Sequence, residues 1–295
     1  MSDLINKDKK YQFYLNNEEY HFIPYDRPFE DIVPLYKLNQ EMLRNNILTH
    51  EIILNNNKEI VTFVNNIPYI LLKYCGYKNE KVFINDIKYY QNFTTNINSD
   101  KELLRTDWVN MWCDKIDYYE YQISELGKKY PILLDSLSYY IGLGENAISF
   151  YINNKNKYQD AQNLVVSHKR IKIDDGSKEF YNPLNFIVDN RMRDITEYIK
   201  NSFFSDNLNN YEINLYLQNS NLNSAEYVEL FSRLLFPTYY FDIYDEIINN
   251  NLPEEKIIDI IQKNDEYELF LKDMYTFITN KKNIFLDPIE WLLKR

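Results

Sequence analysis

The sequence predicts an α+β fold, and three observations carry that prediction. Short aromatic and β-branched runs crowd residues 11 to 100, helical periodicity takes over at Thr106, and beyond Arg191 every periodic segment is helical. Strand-rich and helix-rich segments kept apart along a chain argue for α+β rather than for alternating α/β units. At 295 residues the chain suits one large domain or two packed lobes. The element order gives 1–100 as a β-rich N-terminal lobe and 101–295 as a mostly helical C-terminal lobe with a short strand pair at about 164–190.

YQFYL and EEYHFIPY read as short aromatic strands. THEIIL (49–54), IVTFV (60–64) and PYILLKY (68–74) follow, separated by NNNKE and NN. Asparagine clusters mark turns, because Asn tolerates positive φ and bonds its own backbone, so these three runs predict a meander. INDIKYYQNF (84–93) has helical spacing at Ile84, Ile87 and Tyr90. After Thr106, an N-cap residue type, Trp108, Met111, Trp112, Ile116, Tyr119, Ile123 and Leu126 form one apolar stripe on a long helix. Pro131 breaks it. The next helix presents Leu134, Leu137, Ile141, Ile148 and Tyr151. Its Gly142 and Gly144, each costing about 1 kcal/mol relative to Ala, predict close contact with the preceding helix. LVVSHKRIKI and NFIVD (185–189) predict two strands. Helices are then expected over 191–204, 209–218, 225–236, 238–249, 254–264, 266–279 and 288–294, with Pro253 and Pro288 in first turns beside carboxylates that suit the positive end of the helix dipole.

The 28 Tyr and 17 Phe imply a core that is largely aromatic. Charge is 33 minus 44, or −11, which argues against nucleic acid or an anionic membrane as a chain-wide partner, since both need a positive face. Cys75 and Cys113 are too few for a disulfide framework or a cysteine-rich zinc site. No apolar run approaches the ~20 residues that span a bilayer. MSDLINKDKKYQFYLNN has no signal-peptide core, so a soluble, cytoplasmic protein is the expectation. Neither GxGxxG nor GxxxxGK[ST] occurs among the five glycines, which disfavours Rossmann and P-loop nucleotide sites. His21, His50 and His168 are far apart in sequence and no HExxH occurs, which argues against a histidine metal site.

Two stretches carry more specific information. VVSHKRIKIDD (165–175) runs an apolar strand into a histidine, and PLNFIVDNRMRDITEYIK (183–200) runs a second strand into Asp189, an Arg-Asp pair and a helix. With Lys73 offered by PYILLKY on the third strand of the expected sheet, this order resembles the bilobed kinases of the aminoglycoside phosphotransferase and choline kinase-like superfamily. Within it the chain is most similar to the spore coat-associated kinase-like proteins of spore-forming bacteria. The resemblance covers 35–295 by element order and is specific over about 165–200. It implies a nucleotide contact at Lys73, a catalytic loop at His168, a metal ligand at Asp189, and ATP with Mg²⁺ if the chain is active. Active members carry His-Gly-Asp and then an Asn five residues after the Asp; the Asp orients or deprotonates the acceptor hydroxyl and the Asn helps hold Mg²⁺. Laid on His168, the glycine position is Lys169, the base position is Arg170, and the Asn position is Asp175, a second candidate metal ligand. Arginine cannot act as a base near neutral pH. The interval from Asp189 to Asp194 is shorter than in the family pattern, and Asn55-Asn56-Asn57 stands where the glycine-rich loop belongs.

The residues also admit plainer readings. Lys73 suits a solvated strand end, and His168 a structural histidine bonded to nearby backbone. Asp189 can pair with Arg191 or Arg193 or cap the following helix, and Arg193 with Asp194 suits a structural pair or cap. Lys169, Arg170 and Lys172 suit a solvated basic face. Three functions remain open. One is a catalytically degenerate, pseudokinase-like protein with no catalytic residue, acting by binding or assembly with a protein partner and located in the spore coat if the source sporulates. The second is an active small-molecule phosphotransferase that uses Asp174, Asp175 and Asp189 in a rearranged loop. The third is an unrelated α+β interaction protein. Arg170 in the base position favours the first.

Overall fold

A six-stranded antiparallel sheet dominates the first part of the chain, in the computed structural model that describes residues 5–7, 10–95, 97–158 and 163–294. Its strands are β1 (Ile5–Lys7), β2 (Lys10–Leu15), β3 (Glu18–Pro24), β4 (Glu51–Ile53), β5 (Thr62–Val64) and β6 (Ile67–Lys73), in the order β1-β2-β3-β6-β4 with β5 also on β6. The asparagine turns are of the predicted kind. Asn16-Asn17 and Asn65-Asn66 have φ of 52°, 64° and 50°, 64°, and each pair closes a two-residue hairpin. The expected meander is not formed. β4 pairs with Leu71–Lys73 and β5 with Ile67–Tyr69, so the two short strands lie end to end along β6 and not beside each other.

A helix that the strand-rich reading of residues 11–100 passed over, α1 (Ile32–Arg44), lies between β3 and β4. Its signal is present in the sequence: Ile32, Leu35, Leu38, Asn39 and Met42 recur at steps of three, three, one and three, and all are buried. Asn39 uses its side chain as a backbone surrogate, donating to the His50 carbonyl at 2.6 Å and accepting from the Ile52 amide at 2.9 Å. Helix α2 (Ile84–Phe93) matches its predicted bounds.

The chain divides into two compact units, one Met1–Arg105 with Asn163–Asp194, the other Thr106–Gln162 with Ile195–Arg295. Within the first, the hairpin β7 (Leu164–His168) and β8 (Phe186–Asn190) is buried along both strands except at Leu164. The strand expected over LVVSHKRIKI stops at His168. Ile173–Asp175 forms a 3₁₀ turn and Gly176–Phe180 a single helical turn, α5. Tyr90 of α2 is fully buried against Phe180, Phe186 and the His168 ring.

The second unit holds α3 (Trp108–Leu126) and α4 (Pro131–Lys155). Helix α6 (Met192–Phe204) starts in the first unit and continues here, followed by α7 (Asn210–Asn219), α8 (Ser224–Leu235), α9 (Thr238–Asn250), α10 (Ile258–Ile261), α11 (Asn264–Thr276) and α12 (Glu290–Leu293). Its core is aromatic. Trp112 stacks on Phe236, Tyr119 on Phe241 and Tyr140 on Tyr240, with ring centroids 4.6, 4.4 and 3.6 Å apart. Several details differ from the periodicity reading. Met111 and Leu134 are exposed, and Asp107 precedes α3 without a side-chain cap bond. Helix α12 begins at Glu290, two residues beyond Pro288. Of the two glycines, only Gly144 makes the expected close contact. A Cβ there would lie 2.9 Å from Ile116 Cδ1 of α3, whereas one on Gly142 meets nothing within 4 Å. Gly142→Ala is therefore expected to stabilise the protein by about 0.5–1 kcal/mol in chemical denaturation, and Gly144→Ala to gain less or lose. A Gly144→Ala variant more stable than Gly142→Ala would contradict this packing.

Candidate functional site

The two stretches singled out in the sequence pair with each other as the β7–β8 hairpin. His168 closes β7 opposite Phe186, and Asp189 lies on β8 opposite Val165. Both are buried, at 1% and 0% exposure. The first turn of α6 supplies their partners. Asp194 accepts the His168 amide at 3.1 Å through Oδ1 and faces His168 Nδ1 at 2.6 Å through Oδ2. The other ring nitrogen, Nε2, is 2.7 Å from the Phe180 carbonyl. Each ring nitrogen of His168 thus faces an oxygen of the protein itself, Asp194 Oδ2 on one side and the Phe180 carbonyl on the other. Asp194 also suits its place, since a carboxylate in the first turn faces the positive end of the helix dipole.

Arg193 completes the arrangement. Its Nη1 donates to Asp189 Oδ2 at 3.0 Å, Nε to the His168 carbonyl at 2.7 Å and Nη2 to the Lys169 carbonyl at 2.9 Å. Asp189 Oδ1 accepts the Asn190 amide at 2.6 Å. Of the two arginines offered by the sequence as partners for Asp189, Arg193 is bonded to it.

The loop after β7 points its charges outward. Lys169, Arg170 and Lys172 are exposed. Asp174 is exposed and lies 3.8 Å from Lys81, and the side chain of Asp175 lies outside the described residues. Gly176 anchors the end of this loop. Its φ is 63°, and a Cβ there would fall 2.6 Å from the Asn79 carbonyl oxygen, so the backbones pass too closely for any side chain.

Lys73 sits apart from this cluster. It ends β6, the sixth strand in chain order, and the third strand, β3, carries no lysine. Its Nζ is 2.7 Å from Glu18 Oε1, a bond that raises the Lys73 pKa. It belongs to the wall of a cavity of about 680 Å³ together with Glu19, Tyr74, Lys78 and Lys178, and His168, Arg170 and Asp189 do not line that cavity.

Beside this cavity lies a cluster that sequence spacing did not reveal. The rings of His21 and His50, 29 positions apart, sandwich Tyr74 at centroid distances of 3.9 and 4.0 Å. His21 Nε2 donates to Glu19 Oε1 at 2.8 Å and its Nδ1 accepts from Tyr74 at 3.1 Å. Burial would push the Glu19 carboxyl up, but hydrogen bonds from His21 and Lys178 and the Lys178 charge outweigh it and hold the pKa at about 2. His50 is fixed as a neutral ring. Nε2 donates to the Lys178 carbonyl and Nδ1 accepts the Cys75 amide, and burial lowers its pKa to about 4.

This geometry sets a pH dependence. His50 has a native pKa below its ordinary 6.5, so below pH 6.5 the unfolded chain takes up the proton first and stability falls until about pH 4. The full shift corresponds to roughly 3 kcal/mol. Glu19 adds to the loss below pH 4.5, as its native pKa lies under the ordinary value. His50→Gln, which keeps one donor and one acceptor, is expected to flatten the fall in denaturation free energy between pH 6.5 and 5. An unchanged slope would contradict the buried neutral ring.

The family described as "Spore coat putative kinase YutH" matches residues 1–274. In Bacillus subtilis (strain 168) the "Endospore coat-associated protein YutH" is 27% identical over 208 residues, 63% of this chain, and the match spans only 61% of that protein's length. Among solved structures, an aminoglycoside phosphotransferase from Alicyclobacillus acidocaldarius superposes with a TM-score of 0.64 at 8% identity, over 94% of this chain and 92% of that one. Choline kinase LicA from Streptococcus pneumoniae superposes with a TM-score of 0.51 at 12% identity, over 92% and 90%. At such identities the likeness shows the fold, which is aminoglycoside phosphotransferase and choline kinase-like. No helix among the described residues is long and apolar enough to cross a membrane.

Proposed function

Since the chain belongs to the YutH spore coat kinase family, we propose that it is a kinase-fold protein without phosphoryl-transfer activity, acting by binding to a protein partner during assembly of the spore coat. The observation that carries this reading is the loop after β7. Transfer on this fold needs a carboxylate to orient or deprotonate the acceptor hydroxyl. The position holds Arg170, exposed and permanently charged. The histidine before it is turned inward and saturated by Asp194 and the Phe180 carbonyl. A base contributes only part of the rate, since positioning and metal charge supply much of it, and the carboxylate described in this loop, Asp174, is exposed 3.8 Å from Lys81. Location in the coat rests on the family and on the B. subtilis relative, which is endospore coat-associated.

A second reading, phosphoryl transfer from ATP with Mg²⁺ to a small molecule, is favoured by one observation: Lys73, Lys78 and Lys178 in the wall of the 680 Å³ cavity could meet phosphate groups. The two readings separate on turnover. Incubated with millimolar ATP and Mg²⁺ and a panel of hydroxylated and amino-bearing acceptors, the purified protein is expected to release ADP at the buffer rate, equally in wild type and Asp189→Ala. ADP release above background that needs Mg²⁺ and disappears in Asp189→Ala would replace the first reading with the second.

A further inference from the structure

We propose that Arg193 holds the place of a divalent cation at Asp189, so that this position takes neither Mg²⁺ nor Mn²⁺ while Arg193 is present. This deepens the functional reading above and rests on it, because only in a kinase-like fold does a metal become the expected partner of Asp189.

The residues here do not fit a metal. Magnesium demands near-octahedral oxygen ligands and holds several waters, usually on one or two carboxylates that face it. Asp189 is fully buried, one of its oxygens accepts the Asn190 amide and the other faces the Arg193 guanidinium at 3.0 Å. A second cation at that oxygen would stand against a like charge. The other described carboxylates of the two stretches are spent or turned away, the side chain of Asp175 lying outside the described residues. Asp194 is bound to His168, and Asp174 is exposed beside Lys81. Among the described residues no three His, Cys, Asp or Glu side chains converge as metal ligands.

What a metal would supply, the guanidinium supplies instead. It matches the Asp189 charge, and with two further bonds it draws in the carbonyls of His168 and Lys169, so that β8, the end of β7 and the first turn of α6 are joined through one planar group. Unlike a metal, arginine neither dissociates nor titrates near neutral pH. The cation is part of the chain, and any nucleotide that binds the protein binds without a divalent ion at Asp189.

Manganese binding to the full-length protein, followed by the electron paramagnetic resonance signal of free Mn²⁺, tests this without relying on activity. Wild type is expected to leave the signal undiminished up to millimolar protein. Arg193→Gln strands the Asp189 charge and is expected to lower the thermal midpoint. Millimolar Mg²⁺ or Mn²⁺ should then raise it by about 3 °C or more, an effect absent from wild type and from Arg193→Gln/Asp189→Asn. Stoichiometric Mn²⁺ binding by wild type that is lost in Asp189→Asn would overturn the proposal, as would a folded Arg193→Gln variant that ignores metal. If Arg193→Gln does not fold, the wild-type titration decides alone. Mn²⁺ held through Asp189 without ATP turnover would sink this inference and leave the functional reading standing, whereas Mg²⁺-dependent turnover would sink the functional reading itself.

Discussion

The first turn of α6 grips the end of β7, and the arrangement of the site depends on that grip. Two adjacent residues do the holding. Arg193 carries a positive charge to buried Asp189 and two carbonyls, and Asp194 carries a negative charge to His168. Breaking such a buried pair by removing one partner typically costs 3–5 kcal/mol, because the remaining charge is left in a medium that cannot solvate it. The pair need not be worth that much relative to apolar residues of the same shape. Its effect is on position: with both ends of the hairpin tied to one helical turn, the loop carrying Lys169 and Arg170 has a fixed origin.

That constraint also sets which groups of the site are held within the protein. In a phosphotransferase the corresponding groups face a substrate: a carboxylate toward the acceptor hydroxyl, another toward metal and phosphate. Here His168, Asp189 and Asp194 are bonded within the protein itself, and Lys169, Arg170, Lys172 and Asp174 on the loop are exposed. In the function proposed here, the fold is retained while these polar groups serve internal structure. Fold and function are separable in this way because activity resides in a few side chains, whereas the fold rests on the distributed burial of Tyr90, Phe186, Trp112, Tyr119 and many others.

Much of this was legible in the sequence, and what was not has physical reasons. The Asn65-Asn66 pair marked a hairpin because two successive residues at positive φ need a tolerant side chain. The helices beyond Arg191 followed from period and from first-turn carboxylates. The bond of Asp189 to one of two nearby arginines was among the readings the residues allowed, since i to i+4 partners are visible in a linear sequence. Helix α1 was hidden because its aromatic and proline-rich flanks, EEYHFIPYDRP, look like strand and turn. The pairing of β4 and β5 with one strand, and the sandwich of Tyr74 between His21 and His50, depend on strand order, which no local pattern encodes. The same holds for Gly144, whose neighbour Ile116 is set by how α3 and α4 cross.

The central claim is that the Asp189 charge is matched from within by Arg193. A double-mutant cycle of Asp189→Asn and Arg193→Gln, measured by urea denaturation in metal-free buffer, tests it most directly. The account predicts that each single variant loses roughly 3 kcal/mol and that the double variant loses far less than their sum, a coupling of about 2 kcal/mol or more. Additive losses, within the few tenths of a kcal/mol expected of independent sites, would contradict it.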